Sequence, residues 1–558
     1  MPERTRDRFV TGGLILYTLA AATALLLSGA RLVSCDASTP WAALGAGSAS
    51  LTYDDGFYYL RIAEHVARGA GSTFDGIHAT NGYHPLWLLC LVPIFRLASS
   101  SHVALLLAVL LQGALMAACA GLTYQIARFD FQRFGAILAA LLWVHAQLPY
   151  RAALSGTEYS LHAVCVLTVI YSCRRWFARD PPGMRAYLAL GMLLGLTFLA
   201  RLDSVLLFGC IALWLGWREV RGGLTSTGAG RLLALTSPVA GTVVLYAVAN
   251  ARLFGHPLPV NGVIKREWSA QLLQHDPVYQ AHGWLVAKLW NVLWPFGHMK
   301  HAYVLFLALG SAAVAVAWLL AVLAGARLTW FERASPLWGS LVLASVLQIS
   351  VYSVAYHDGY SFQRWYFVVQ PWLGALLLAA IVEATCVRAG QFALSLHRVW
   401  HLGPALSLAV LFGVVLASAR TIGQWRKEAA LGVSREPLYA AARWVEANVP
   451  YTAIVGAWNA GIISYLSGRC VVNLDGLVNS WEFYQTKRKN MCQYWRETGI
   501  RYVVDTFEIN HEFEFSDDSP APGADLSSCA PNIHRVWTGP AYPDTSQHAE
   551  AFEVRFAR

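Results

Sequence analysis

Apolar positions dominate the first 420 residues and fall into long runs. These lie near 11–33, 102–125, 133–149, 157–173, 186–200, 203–217, 231–253, 302–325, 336–356, 364–388 and 402–419. A hydrocarbon core of about 30 Å takes roughly 20 residues of helix to cross, so the runs are read as eleven membrane spans. The runs 186–200 and 203–217 are short, and Arg201-Leu202-Asp203 between them must turn tightly. One further run, 85–98, reaches only about 20 Å at roughly 1.5 Å per residue. It is predicted to be re-entrant or interfacial.

The polar positions between the runs sort by charge. Basic residues occupy alternate loops: the N-terminal MPERTRDR; Arg128 and Arg133; Arg174, Arg175, Arg179 and Arg185; Arg218, Arg221 and Arg231; Arg327 and Arg333; Arg388 and Arg398. An excess of Lys and Arg marks cytoplasmic loops. Eleven spans put the N-terminus and all of these loops in the cytoplasm, provided that 85–98 does not cross. The segments 34–84, 150–156, 201–203, 254–301, 357–363 and everything after 420 then face outward. They hold nearly all the unusual polar residues, which predicts one outer-face site built from several loops.

Composition agrees with this topology. The chain has 558 residues, 56% of them hydrophobic and 13% charged, with a mean hydropathy of +0.43. A soluble chain carries about 25% charged residues. The reading is a multi-pass protein of the plasma (inner) membrane with a cytoplasmic N-terminus. Run 11–33 is too long for a signal-peptide core and no small-x-small cleavage site follows it. The net charge of +9 is accounted for by the short basic loops, so no nucleic-acid partner is expected. The ten cysteines show no CxxC or other metal spacing, which argues against a structural zinc site. Cys470, Cys492 and Cys529 lie in the polar C-terminal part, where an outward location permits a disulfide between two of them.

The chain thus divides into a multi-span part, 1–420, with a first outer loop over 34–84, and a soluble extracytoplasmic part, 421–558. In the second part LYAAARWVEANV and AGIISYLSG read as helices. TAIVGA, CVVNLDGL, IRYVVDTF and AFEVRF read as strands, and DDSPAPGAD as a loop. A βαβ-like start of this kind predicts a small α/β domain, with Trp458, Asn459 and Asp475 as candidate contacts at strand ends.

The first outer loop carries Asp54 and Asp55 side by side at the head of an amphipathic stretch, 56–68. Tyr59, Ile62, Ala63 and Val66 recur at helical spacing on one face, and Arg61, Glu64, His65 and Arg68 on the other. This pattern predicts a helix lying in the membrane interface. Capping accounts for one aspartate at a helix start but not readily for two, and no Glu or Gln follows three residues on to complete a capping box. Adjacent carboxylates repel, so the pair points to a general base, with a divalent cation as its possible partner. Beyond it, Asn81-Gly82 signals a turn, and Tyr83 and His84-Pro85 lead into the short apolar run, with Trp87 placed at interface depth.

These residues resemble the GT-C superfamily of polyprenyl-phosphate-dependent glycosyltransferases, and more narrowly its mycobacterial arabinofuranosyltransferase branch. The resemblance rests on the acidic pair after the first span, the YYLRIAEHVARG helix and TNGYHPLW. Further echoes are LSGTEYSLHA at 154–163, ARLDSVLL at 200–207, LFGHPLPVNGVIK at 253–265, QRWYFVVQPW at 363–372 and IVGAWNAGIISYLSGRCVVNLDGLVN at 454–479. Leu202, Ser204 and His256 depart from the family pattern, which leaves the donor sugar open among arabinofuranose and other pentoses or hexoses.

The resemblance implies a GT-C-like helical membrane fold and a cell-envelope glycosyltransferase. Its donor is a polyprenyl-phosphate sugar, and its acceptor an extracytoplasmic glycan, lipid or protein. It implies Asp54 or Asp55 as the base, with Asp54 favoured. Asp55 is the candidate ligand if a divalent cation (Mg or Mn) takes part. Cations are needed to hold the departing phosphate, and Lys265, Arg266, Arg201 and Arg364 are the candidates, with His84 and His357 behind them. Arg364 reads equally as an interface anchor, and Arg201 equally as an ion-pair partner of Asp203. Glu158 reads either as a helix cap or as a site residue. Asn81, Tyr83, Trp458 and Asn459 complete the candidate substrate contacts. Two other classes remain open at this point: a flippase or transporter of lipid-linked sugars, and an inactive sugar-binding scaffold. A transporter would show internal repeats and mid-span ionisable residues, and neither is found.

Overall fold

The computed structural model describes residues 3–30, 40–147, 152–177, 182–275, 336–355, 364–395, 405, 407–414, 416, 436–508, 532–541 and 547–556. The helices of the first part are α1 Glu3–Ala30, α2 Pro40–Ala49, α3 Asp54–Ala67, α4 Pro85–Leu97, α5 Ser101–Ala127, α6 Arg133–Gln147, α7 Tyr159–Trp176, α8 Met184–Ala200, α9 Val205–Arg221, α10 Ser226–Phe254, α11 Val260–His275, α12 Pro336–Ala355 and α13 Val369–Ser395. Four of these, α1, α5, α10 and α13, are long and apolar enough to cross a bilayer. The helices α6, α8 and α12 contain shorter apolar stretches. The predicted span at 302–325 and most of 402–419 lie outside the described residues, so eleven spans are not counted in the fold.

The ends of these helices alternate as the arginine pattern predicts. At one end of the bundle Arg128 and Arg133 pair with Asp7, Arg174 with Asp130, Arg231 with Glu219, and Glu383 accepts the Gly135 N–H. The opposite ends of α7, α8, α9 and α12 bring Glu158, Arg201, Asp203 and Tyr352 together. The opposite end holds the cavity described below.

The segment 85–98 forms α4, thirteen residues long, which packs against α3. Trp87 is fully buried and its indole N–H donates to the Gly156 carbonyl (2.7 Å). It is a core anchor rather than the interface residue expected. The helix α3 also differs from expectation. Its apolar face is buried, but so is Glu64, 3% exposed, which binds Arg61 (2.8 Å), Arg68 (2.7 Å) and the Ser101 hydroxyl (3.0 Å). Part of the face that the sequence pattern leaves polar is covered too: Arg61 donates to the Arg469 carbonyl of the C-terminal domain (3.4 Å), while Arg68 stays exposed.

That domain contains α14 Glu436–Asn448, β1 Ile454–Ala457, α15 Ala460–Ser467, β2 Val471–Asn473, α16 Trp481–Gln485, α17 Met491–Thr498, β3 Ile500–Glu508, β4 Ile533–Ala541 and β5 Gln547–Val554. The sheet order is β2-β1-β3-β5-β4. β1 runs parallel to β2 and β3, and β5 antiparallel to β3 and β4. Strand β4 alternates partly exposed and exposed positions, a weak pattern that the sequence reading missed. Cys470 is a free thiol and Cys492 is disulfide-bonded; Cys529 lies outside the described residues.

Candidate active site

The acidic pair is divided by the fold. Tyr53, before α3, donates its N–H to the Ser155 carbonyl (2.9 Å), which ties the first turn of α3 to the turn that precedes α7. From there the Asp54 and Asp55 side chains diverge. Asp54 accepts the backbone N–H groups of Ile462 at Oδ1 (2.7 Å) and of Gly461 at Oδ2 (3.2 Å). It therefore caps a helix, but α15 of the C-terminal domain and not its own. Burial, opposed by the Ile462 N–H and reinforced by the charge of Asp55, raises the Asp54 carboxyl to about 7. Asp55 lines a cavity of about 370 Å³; Asp54 is not among its lining residues.

The cavity wall also contains Tyr58, Tyr59, Tyr83, His84, Glu158, Arg201, Asp203, Lys265, Arg266, Tyr352, Trp365 and Tyr366. It gathers most of the candidates read from the sequence, drawn from α3, the 81–84 turn, the starts of α7 and α9, the end of α8, α11 and α12. The C-terminal domain adds Leu477 and Val478. Trp365 stacks on Tyr53 (5.2 Å between ring centres) beside the first turn of α3.

On one side of the cavity an ion network is closed on itself. Arg201, 2% exposed, donates to Asp203 through Nε (3.1 Å) and Nη2 (3.2 Å), and to Glu158 through Nη1. Tyr352 and Gln348 donate to Asp203 Oδ2 (both 2.9 Å), and Tyr59 to Glu158 Oε2 (2.9 Å). His84 Nε2 stands 3.8 Å from Glu158, and its backbone N–H donates to Tyr59 Oη (3.1 Å). Burial raises the Glu158 and Asp203 carboxyls, but the charges of His84 and Arg201 outweigh it for Glu158, and that of Arg201 foremost for Asp203, so both are held below the usual carboxylate range. Burial, opposed by the charge of Glu158, lowers His84. Glu158 makes no side-chain cap to α7; it belongs to this network.

Tyr366 links this network to α11: the Arg201 guanidinium lies 4.6 Å from its ring centre, and Lys265 Nζ donates to its Oη (2.8 Å), with Arg266 also on the wall. One positive charge against two negatives makes the Arg201 cluster a poor home for a phosphate. Two cations on α11 against the single carboxylate of Asp55 make a good one.

Four candidates fall elsewhere. Asn81 is buried and fastens the 81–84 turn: its Nδ2 donates to Asn250 Oδ1 (2.9 Å) and the Leu258 carbonyl (3.0 Å), and its Oδ1 accepts the Val260 N–H (3.1 Å). Trp458 and Asn459 give their backbone N–H groups to Asp505 (2.6 and 2.8 Å) and stay within the C-terminal domain. His357 lies outside the described residues. The backbone of Arg364 opens a turn at the cavity. Asp475, off the wall, accepts the Leu477 N–H (2.7 Å), and burial pushes its carboxyl well up.

Gln348, Tyr352 and Tyr366 were missed by sequence reasoning. Gln348 and Tyr352 are four apart in an otherwise apolar span, a polar stripe on one helix face that marks an inward-facing position. Among the described residues no group of three or more His, Cys, Asp and Glu side chains is arranged to hold a metal ion. Glu158 and Asp203 are engaged by Arg201, and Asp55 makes no ion pair among the described residues. Among the described residues, this donor set alone does not make a site for a divalent cation.

A family model described as "Domain of unknown function (DUF8728)" matches residues 424–552, the C-terminal domain. No curated protein matches the chain. Among solved structures, ArnT from Cupriavidus metallidurans bound to undecaprenyl phosphate is similar with a TM-score of 0.51 and 14% identity, covering 97% of this chain and 98% of that one. The archaeal oligosaccharyltransferase AglB from Archaeoglobus fulgidus, in complex with an inhibitory peptide and a dolichol-phosphate, is similar with a TM-score of 0.50 and 14% identity, over 96% of this chain and 74% of that one. Both are GT-C proteins. Agreement along nearly the whole chain, with the cavity at the loop end of the bundle, shows that this multi-pass membrane protein has the GT-C fold.

Proposed function

We propose that the protein is a membrane glycosyltransferase that moves a sugar from a polyprenyl-phosphate donor to an extracytoplasmic glycan, lipid or protein. The observation that carries this reading is the shared cavity of Asp55 and the Lys265–Arg266 pair, on a fold whose solved examples hold undecaprenyl phosphate and dolichol-phosphate. Asp55 sits in the first turn of α3, where the positive end of the helix favours a carboxylate. In the proposed reaction the acceptor hydroxyl gives its proton to Asp55 as its oxygen bonds to the anomeric carbon. The bond from that carbon to the phosphate oxygen breaks, and its electron pair leaves on polyprenyl phosphate. Lys265 and Arg266 hold the departing charge by charge-assisted hydrogen bonds. No step is routed through a metal.

The sequence echoes of the arabinofuranosyltransferase branch support arabinofuranose as the first donor to test, ahead of other pentoses and hexoses. The test is transfer by the purified protein in bilayer discs from a panel of polyprenyl-phosphate sugars, with and without EDTA. Wild type is expected to consume one donor in either condition, and Asp55→Asn to lose at least about 100-fold, as removal of a general base does. An Asp55→Asn variant as active as wild type removes Asp55 as the base. Labelled lipid crossing liposomes without donor consumption would replace a transferase with a flippase.

A further inference from the structure

The N-terminus of α15 is built without a cap of its own. Its preceding residue, Asn459, makes no side-chain cap bond; the Asn459 side chain donates instead to Asp505 Oδ1 (3.0 Å). The first N–H groups of a helix need acceptors, and the Gly461 and Ile462 groups find theirs in Asp54, about 400 residues away. The approach is close enough to require glycine. A Cβ at Gly461 would stand 2.3 Å from the Asp54 carbonyl oxygen and 2.9 Å from its Oδ1. One turn further along α3, Tyr58 donates its hydroxyl to the Trp458 carbonyl (3.2 Å), so the same face of α3 is fastened twice to one corner of the domain.

Resting on the glycosyltransferase reading above, we propose that the two aspartates divide their labour. Asp54 is a positioning residue that locks the C-terminal domain onto α3 by capping α15, and so fixes the first turn from which Asp55 enters the cavity. Consecutive residues in a helix diverge by about 100°, so an Asp54 held from the domain side sets the direction of Asp55. Docking also places Leu477 and Val478 on the cavity wall. The cavity is complete only with the domain in place.

Two measurements on the full-length protein test this. The first is hydrogen exchange of the α15 amides, which needs no activity. Asp54→Ala is expected to speed their exchange at least about tenfold, and Asp54→Asn less, because the amide oxygen still accepts one N–H. Gly461→Ala tests the same docking independently: its Cβ would meet the Asp54 backbone carbonyl oxygen at 2.3 Å, which Asp54→Ala leaves in place, so it is expected to speed the same amides by itself. Unchanged α15 exchange in Asp54→Ala overturns the proposal whatever the activities are. Faster exchange in a protein that consumes no donor leaves the lock standing and removes the transferase reading instead.

The second measurement is the split of transfer into kcat and KM. Asp54→Asn is expected to lower kcat/KM about tenfold, and Asp55→Asn to lower kcat at least about 100-fold with KM little changed. An Asp54→Asn variant that loses at least about 100-fold in kcat while Asp55→Asn keeps it reverses the assignment.

Discussion

The Arg201 guanidinium grips both carboxylate oxygens of Asp203, two residues along the chain, at 3.1 and 3.2 Å, while a third nitrogen binds Glu158. Removing one partner of a buried ion pair leaves uncompensated charge and costs about 3–5 kcal/mol. Arg201→Met should therefore destabilise the protein by about that amount. The check is a thermal or denaturant midpoint in detergent. A midpoint within error of wild type would show that the two carboxylates find other partners.

Lys265 should behave differently. It reaches Tyr366 from a helix at the edge of the bundle, and its proposed partner is the ligand phosphate. A hydrogen bond to a charged group contributes about 1.5–3 kcal/mol. Lys265→Met should therefore weaken binding of polyprenyl phosphate by about 10- to 100-fold while leaving the unfolding midpoint near that of wild type. Titration with the lipid phosphate alone measures this, and equal affinity in the two proteins would move the phosphate site away from α11.

Acid should loosen the Arg201 network. Glu158 and Asp203 are both held below the usual carboxylate range, so the unfolded chain binds protons before the folded one does. Their contribution is fully present above their ordinary pKa values of about 4 and is lost as pH falls below them. Below about pH 4 the melting temperature should drop more steeply in wild type than in Asp203→Asn. Parallel curves would place the acid sensitivity elsewhere.

Gly82 makes another contact between the first outer loop and the C-terminal domain. A Cβ there would stand 1.9 Å from the Leu477 carbonyl oxygen, closer than any neighbour tolerates, so one of the two backbones must move. Gly82→Ala should push the 477–478 segment off the cavity wall. We expect transfer to fall at least about tenfold and the C-terminal domain to become more sensitive to protease, with helix content by circular dichroism unchanged. Undiminished transfer would mean that the wall is not part of the working cavity.

Much of this was legible in the residue pattern. The apolar runs and alternate arginines gave the orientation of the described helices relative to one another, because lipid tolerates few charges and forces backbone groups into helices. The shortness of 85–98 kept α4 from being counted as a crossing. Asp55, Glu158, Arg201, Asp203 and Lys265 were candidates from the sequence, since each sits in a loop or at a span end on the same predicted side.

Which of two neighbouring aspartates faces the cavity was not legible. Helical periodicity places Asp54 and Asp55 about 100° apart, but only the partner on each side decides their roles. The partner of Asp54 lies about 400 residues away, on α15. Arg61, on the same helix, likewise gives a hydrogen bond to the Arg469 carbonyl of the C-terminal domain. Sequence by itself determined what depends on near neighbours along the chain: span, face and side. Tertiary structure decided which carboxylate caps and which opens to the cavity, because burial and hydrogen bonding at a point in space are set by residues that linear distance does not connect.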